Sequence, residues 1–193
     1  MNTLPLIQKI RKVFPLMLVV LLAGACDVYQ HQSYTISAFD QKACQAITEN
    51  TVDSLFTANL EEINPVWSDT LVTPTLINAL RDSLTIRGQS VVDQETAYLI
   101  VPYSTFNDVY FTFNSSADQV VLFVDNSVDI QVWKNDGTQL FPDQTSIPLE
   151  TIASCPTIIT RAEFSGVKGE TLLQVRRNDQ TKKDVFHLVI LKK

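Results

Sequence analysis

The sequence predicts a mainly β protein of the α+β kind, an antiparallel β-sandwich over residues 91–193 preceded by a small helical portion over residues 39–90. Two observations carry this. Before Gly88 the apolar residues return at spacings of three and four, as on one face of a helix; beyond Val91 they return every second residue, as on one face of a strand. The later runs are also short, rich in Val, Ile, Phe and Tyr, and punctuated by Asn, Asp, Ser and Gly. Short strands at regular spacing with turns between them build sandwiches.

The N-terminal stretch has a different character. Met1 to Lys12 carries Lys9, Arg11 and Lys12 and no acid, and Val13 to Leu22 is largely apolar, interrupted by Pro15. The apolar run is too short for the roughly 20 residues of a bilayer-spanning helix. It closes on Leu21-Leu22-Ala23-Gly24-Ala25-Cys26. This stretch resembles the lipobox of bacterial lipoproteins, in which signal peptidase II cuts before a diacylated cysteine, although Ala23 stands where leucine is commoner. The resemblance implies that residues 1–25 are a signal peptide and that Cys26 carries the acyl chains, palmitate among them. Residues 26–38 are then a tether, with His31 a solvated linker residue. An ordinary secretory signal cut after Ala25 is the alternative. Asp27 after the lipid cysteine retains lipoproteins in the inner membrane of some bacteria, but the rule depends on lineage, and the outer membrane is the expected location.

Removing the leader leaves 12 basic against 21 acidic residues, a net charge of −9. A surface of that sign repels nucleic acid. Residues 161–193 nevertheless hold eight basic and four acidic side chains, so one end of the molecule is basic. With Cys26 lipidated, Cys44 and Cys155 remain as an even pair in a compartment that permits disulfides, and a bond between them is expected.

From Phe39 the pattern is helical, with Asp40 as an N-cap and Cys44, Ile47, Thr51, Val52, Leu55 and Phe56 on one stripe. The β-branched residues in that run keep a strand at Val52–Phe56 open as an alternative. A second helix starts at Thr73-Pro74, N-cap and first helical residue, buries Leu76, Ile77, Leu80 and Leu84, and ends at Gly88. Strands follow at 97–101, at Val109-Phe111-Phe113 alternating with Tyr110 and Thr112, at 119–125, and at Val128-Ile130-Val132 alternating with Asp129, Gln131 and Trp133. Asn135-Asp136-Gly137 marks a hairpin. After a proline-containing loop at 142–156, three more strands are expected at 158–164, 171–176 and 184–191, the last apolar on both faces as in a central strand.

Tyr110 to Phe113, Val128 to Trp133 leading into Asn135-Asp136-Gly137, and Gly169 to Val175 followed by Phe186 to Ile190 carry a further resemblance. Their order is similar to that of the jelly-roll sandwiches appended to secreted bacterial proteins, the pre-peptidase C-terminal domains and some carbohydrate-binding modules. The lead-in Asp125-Asn126-Ser127-Val128-Asp129 differs from the Gly-Asp-Ala-Asp type of those families.

No zinc-protease helix motif, Gly-x-Ser-x-Gly elbow, phosphate loop or dinucleotide fingerprint occurs, and neither a cofactor nor a metal is expected. His187 alternates with Phe186 and Leu188 and reads as a strand residue rather than a base. Asp125, Asn126 and Asp129 supply oxygen ligands of the kind calcium takes, and are equally the residues of a hairpin turn. Tyr110 and Trp133, on the polar sides of their strands, are candidates for glycan contact if exposed together. Arg176, Arg177, Lys182 and Lys183 flank a turn and are candidates for partner binding. Asp53-Ser54-Leu55, Asp69-Thr70-Leu71 and Asp82-Ser83-Leu84 each resemble the Asp-Ser/Thr-apolar sequon that one group of Gram-negative bacteria uses for O-glycosylation; composition alone gives about one such match. The expected role is a non-catalytic accessory or protein-interaction module of the envelope, held to the membrane by lipid and meeting a protein partner. A glycan-binding module or surface adhesin is the alternative, and a hydrolase centred on His187 the third.

Overall fold

Ser37 opens the first helix. Its hydroxyl accepts the Asp40 N–H at 3.0 Å, and α1 runs over Ala38–Thr48. Asp40, expected at the cap, lies instead in the first turn, where its carboxylate meets Arg161 Nε at 3.1 Å. The helix stops at Thr48, whose hydroxyl turns back to the Cys44 carbonyl at 3.0 Å. The chain then enters β1, Val52–Phe56. Of the two readings open for that segment, the strand is the one that forms, because β1 finds a parallel partner in β3.

The computed structural model describes residues 36–49, 52–57, 73–102, 108–143, 155, 157–178 and 185–193. In it Thr73 caps α2, Pro74–Ile86, with Pro74 in the first turn and Gly88 closing the helix at φ +71°. The strands that follow are β2 (Ser90–Val92), β3 (Gln94–Val101), β4 (Asp108–Ser115), β5 (Gln119–Val124), β6 (Val128–Trp133), β7 (Gln139–Leu140), β8 (Thr160–Ser165), β9 (Gly169–Arg177) and β10 (Phe186–Lys192).

They form two five-stranded sheets ordered β1-β3-β10-β5-β8 and β2-β4-β9-β6-β7. The mainly β sandwich with a small helical part is therefore the fold. Set β1 and β2 aside and every remaining pairing is antiparallel, in the orders β3-β10-β5-β8 and β4-β9-β6-β7. That is the strand order of a double-sheet jelly roll, an architecture shared by proteins of unrelated function. The two parallel pairs sit at the sheet edges, β1 on β3 and β2 on β4, and each edge strand is delivered by the helix before it. Among the described residues, the helical portion thus supplies two helix–strand units, one added to each sheet.

Apolar side chains fill three layers. Between the sheets lie Val109, Phe111, Phe113, Leu122, Phe164, Leu173, Phe186 and Leu188 with their neighbours. Outside the first sheet, Ala43, Ala46 and Ile47 of α1 cover Val121, Phe123 and Val189. Outside the second, Ile77, Leu80 and Leu84 of α2 cover Tyr110 and Leu172. The alternation of β4 decides which layer each residue joins: Phe111 faces inward and Tyr110 outward.

The added units are fastened by several ties, of which two bear on stability. Cys44 in α1 is bonded to Cys155, with Cα atoms 5.7 Å apart and a sequence separation of 111. The β2–β3 junction is held by Asp93, which accepts the Ser116 N–H at 3.0 Å and the Ser116 hydroxyl at 2.8 Å. Burial pushes the Asp93 carboxyl up, but those bonds, its own backbone N–H and the Lys192 charge outweigh burial and hold it below the ordinary 3.8. A carboxyl depressed on folding stabilises the protein above its unfolded pKa, and that stabilisation is lost as pH falls through the lower folded value. Asp93→Asn is therefore expected to cost about 1 kcal/mol at neutral pH in urea unfolding, the difference from wild type closing below about pH 4. A difference that persists undiminished at pH 2.5 would show that the charge of Asp93 plays no part.

Candidate functional site

Of the residues singled out for chemistry or binding, Trp133 lies at the far end of β6, whereas Asp125, Asn126, Asp129, Arg176, Arg177 and His187 lie at one end of the sandwich. There β5 ends, β6 begins, β9 ends and β10 begins, and the turn Asp125-Asn126-Ser127 carries the chain from one sheet to the other. Cross-strand register places Arg176 between Asp108 on β4 and Asp129 on β6. Gln174 stands between Tyr110 and Gln131 in the next row of that outer face, and Leu172 between Thr112 and Trp133 in the row after it.

Arg176 is not a free surface charge. Its Nε donates to Asp108 Oδ1 at 2.7 Å and its Nη2 to Oδ2 at 3.1 Å, a two-point pairing that orients both side chains. Arg177, one residue on, falls on the opposite face of β9 and is buried, 4 % exposed. Strand alternation thus turns one of these two guanidiniums away from solvent, and cross-strand register gives the other a carboxylate. Lys182 and Lys183 lie outside the described residues, as do Cys26 and His31.

On the other sheet's outer face, His187 meets Asp125. The Asp125 carboxylate accepts the His187 backbone N–H at 2.7 Å through Oδ1, and its Oδ2 lies 3.0 Å from His187 Nδ1. The imidazole side chain is 24 % exposed and the carboxylate 9 %. An acid that orients a histidine through Nδ1 is part of what hydrolytic chemistry requires; the nucleophile is the remaining part, and no described serine or threonine is placed at the ring by a hydrogen bond. The same pair has a plain structural effect, since it joins the end of β5 to the start of β10.

Asp125, Asn126 and Asp129 do not converge. Asp125 is engaged by His187, the Asn126 side-chain oxygen accepts the Ser127 N–H at 2.9 Å, and Asp129 is exposed on the outer face of the second sheet. They make the turn rather than a calcium cage, and among the described residues no three His, Cys, Asp or Glu side chains come together as metal ligands would. Tyr110 and Trp133 do share a neighbourhood, but beneath α2: Tyr110 is 4 % exposed and Trp133 half-buried. They are not exposed together, so Tyr110 offers no open ring face for a sugar to stack on.

Two features escaped the sequence. Asp108 as the partner of Arg176, and Asp125 as the partner of His187, come from strands far apart in the chain, and only the register of the assembled sheets brings them together. The acidic residue beside a strand boundary was visible in each case; its partner was not. No protein-family model matches the chain, and no curated protein matches it either.

Proposed function

We propose that the chain is a lipid-anchored cell-envelope protein, held through Cys26, whose sandwich serves as a non-catalytic accessory or protein-interaction module at the outer membrane. One observation carries this reading: a basic segment and a short apolar run that closes on Ala23-Gly24-Ala25-Cys26. The bond between Cys44 and Cys155 supports it, since such bonds persist in oxidising compartments and the two cysteines left after lipidation are the ones joined. Acyl anchoring of this kind needs more than one chain, because each buried methylene contributes only about 0.8 kcal/mol. The net charge of −9 left after the leader suits a partner surface of opposite sign.

Cys26→Ala is expected to move the protein from the detergent-extracted membrane fraction to the soluble fraction by at least ~10-fold. Co-isolation of the same envelope proteins with wild type, lost in the variant, supports the accessory role. A wild-type protein that comes out of the membrane alone at every salt concentration removes it, and glycan arrays then test the adhesin reading.

A further inference from the structure

We propose that Ser54 is a site of O-glycosylation, and that the fold selects it over Ser83. Both serines stand in an Asp-Ser-Leu triplet, but the structure presents the two triplets differently. Ser54 lies within β1, the outermost strand of its sheet, which has β3 as its neighbour in the strand order. Asp53 and Ser54 are both exposed, the backbone is extended, and among the described residues the Ser54 hydroxyl makes no side-chain hydrogen bond. A transferase that reads three consecutive residues along an extended backbone can take them from such a strand, as edge strands are taken by the proteins that add to them.

The other triplet is closed to such an enzyme. Ser83 is inside α2, its hydroxyl donates to the Ala79 carbonyl at 2.8 Å, and Asp82 is paired with Arg81 at 2.9 Å. Leu84 is buried against the sheet. Reading this triplet in extended form would require unwinding the helix and withdrawing Leu84 from its packing. The third triplet, at 69–71, lies outside the described residues.

The transfer needs an activated sugar, of the class of glycosyl phosphate esters. Ser54 Oγ attacks the anomeric carbon and forms the glycosidic C–O bond; the C–O bond to phosphate breaks, the phosphate leaves with its electron pair, and the hydroxyl proton passes to a base on the transferase. No oxidant or reductant is involved. The sugar would stand beside Phe56, which lies two residues on, along the same face of the strand, and is 67 % exposed. A glycan there would stand on the outermost of the described strands of this sheet, beside an exposed aromatic ring.

The inference rests on the exported, anchored reading above, and one experiment separates the two. Full-length protein is isolated from the envelope of a Gram-negative host that glycosylates Asp-Ser/Thr-apolar triplets, reduced, digested with trypsin and weighed by mass spectrometry. Residues 43–81 then form one peptide and residues 82–87 another. Expected is a glycan mass on 43–81, none on 82–87, and its complete loss in Ser54→Ala. A glycan on 43–81 that survives Ser54→Ala, or one on 82–87, overturns the assignment. An unmodified protein that still partitions to membranes through Cys26 overturns glycosylation and leaves the anchor standing, whereas a protein found unmodified outside the envelope overturns both.

Discussion

Replacing Cys44 and Cys155 together by alanine is expected to lower stability by about 4 kcal/mol and Tm by on the order of 10 °C. The bond closes a loop between residues 111 apart in sequence, and in the chain-entropy account a loop of that length restricts the unfolded chain strongly. The native helix has other holds: Ala43, Ala46 and Ile47 pack on the first sheet, Phe39 lies 6.2 Å from the Phe123 ring, and Asp40 meets Arg161. Because the effect acts mainly through the unfolded state, helix content by circular dichroism should be unchanged while the thermal midpoint falls. A loss below about 1 kcal/mol would mean that strain in the bonded form cancels the restriction. Loss of helix signal at 20 °C would mean that α1 is held by the bond alone.

Phe111→Ala is expected to cost about 4 kcal/mol. Phe111 is fully buried between the sheets, on β4 directly opposite Leu173 of β9, the pairing at the centre of the second sheet. Truncation removes the transfer energy of the ring and leaves a void that two hydrogen-bonded sheets cannot close by collapsing. A domain of this size has about 5–15 kcal/mol in all, so the variant stands near the limit of folding. Phe111→Leu, which keeps most of the volume, should cost less than half as much. In urea the midpoint should fall for both while the slope stays that of wild type. Equal costs for Ala and Leu would show that ring volume is not what Phe111 supplies.

Much of this architecture could be read from the residues, and the parts that could not share a cause. The second helix was legible at both ends because Thr73-Pro74 and Gly88 are local signals with local reasons. The alternation of β4 and β6 correctly put Phe111 and Ile130 on one face and Tyr110 and Trp133 on the other. What alternation could not show is that the second face is also covered, because that depends on where the earlier helix Pro74–Ile86 comes to rest. The pairing of Cys44 with Cys155 followed from counting, once Cys26 is set aside. Residues 52–56 carried both patterns, since Leu55 and Phe56 fit a helical stripe and a strand equally well, and β3 decided between them. The edge strands Ser90–Val92 and Gln139–Leu140 are three and two residues long, too short to have a period. At the candidate site the charges of Arg176, Arg177 and Asp108 were plain, but whether they meet solvent, the interior or one another is a property of register and not of spacing.

The position of β10 has a consequence for how the molecule is made. The last strand in chain order lies between β3 and β5 in the middle of the first sheet, and the strand before it, β9, lies between β4 and β6 in the middle of the second. The second sheet has its centre only once Gly169–Arg177 is present and the first only once Phe186–Lys192 is, so a growing chain cannot accumulate finished structure from its front. Until Phe186–Lys192 arrives, β3 and β5 each hold an unsatisfied edge, and pairing across so many residues is slow. A chain stopped before Phe186 would therefore not be a shorter sandwich but an aggregation-prone one, and a holding chaperone would have its work during that interval.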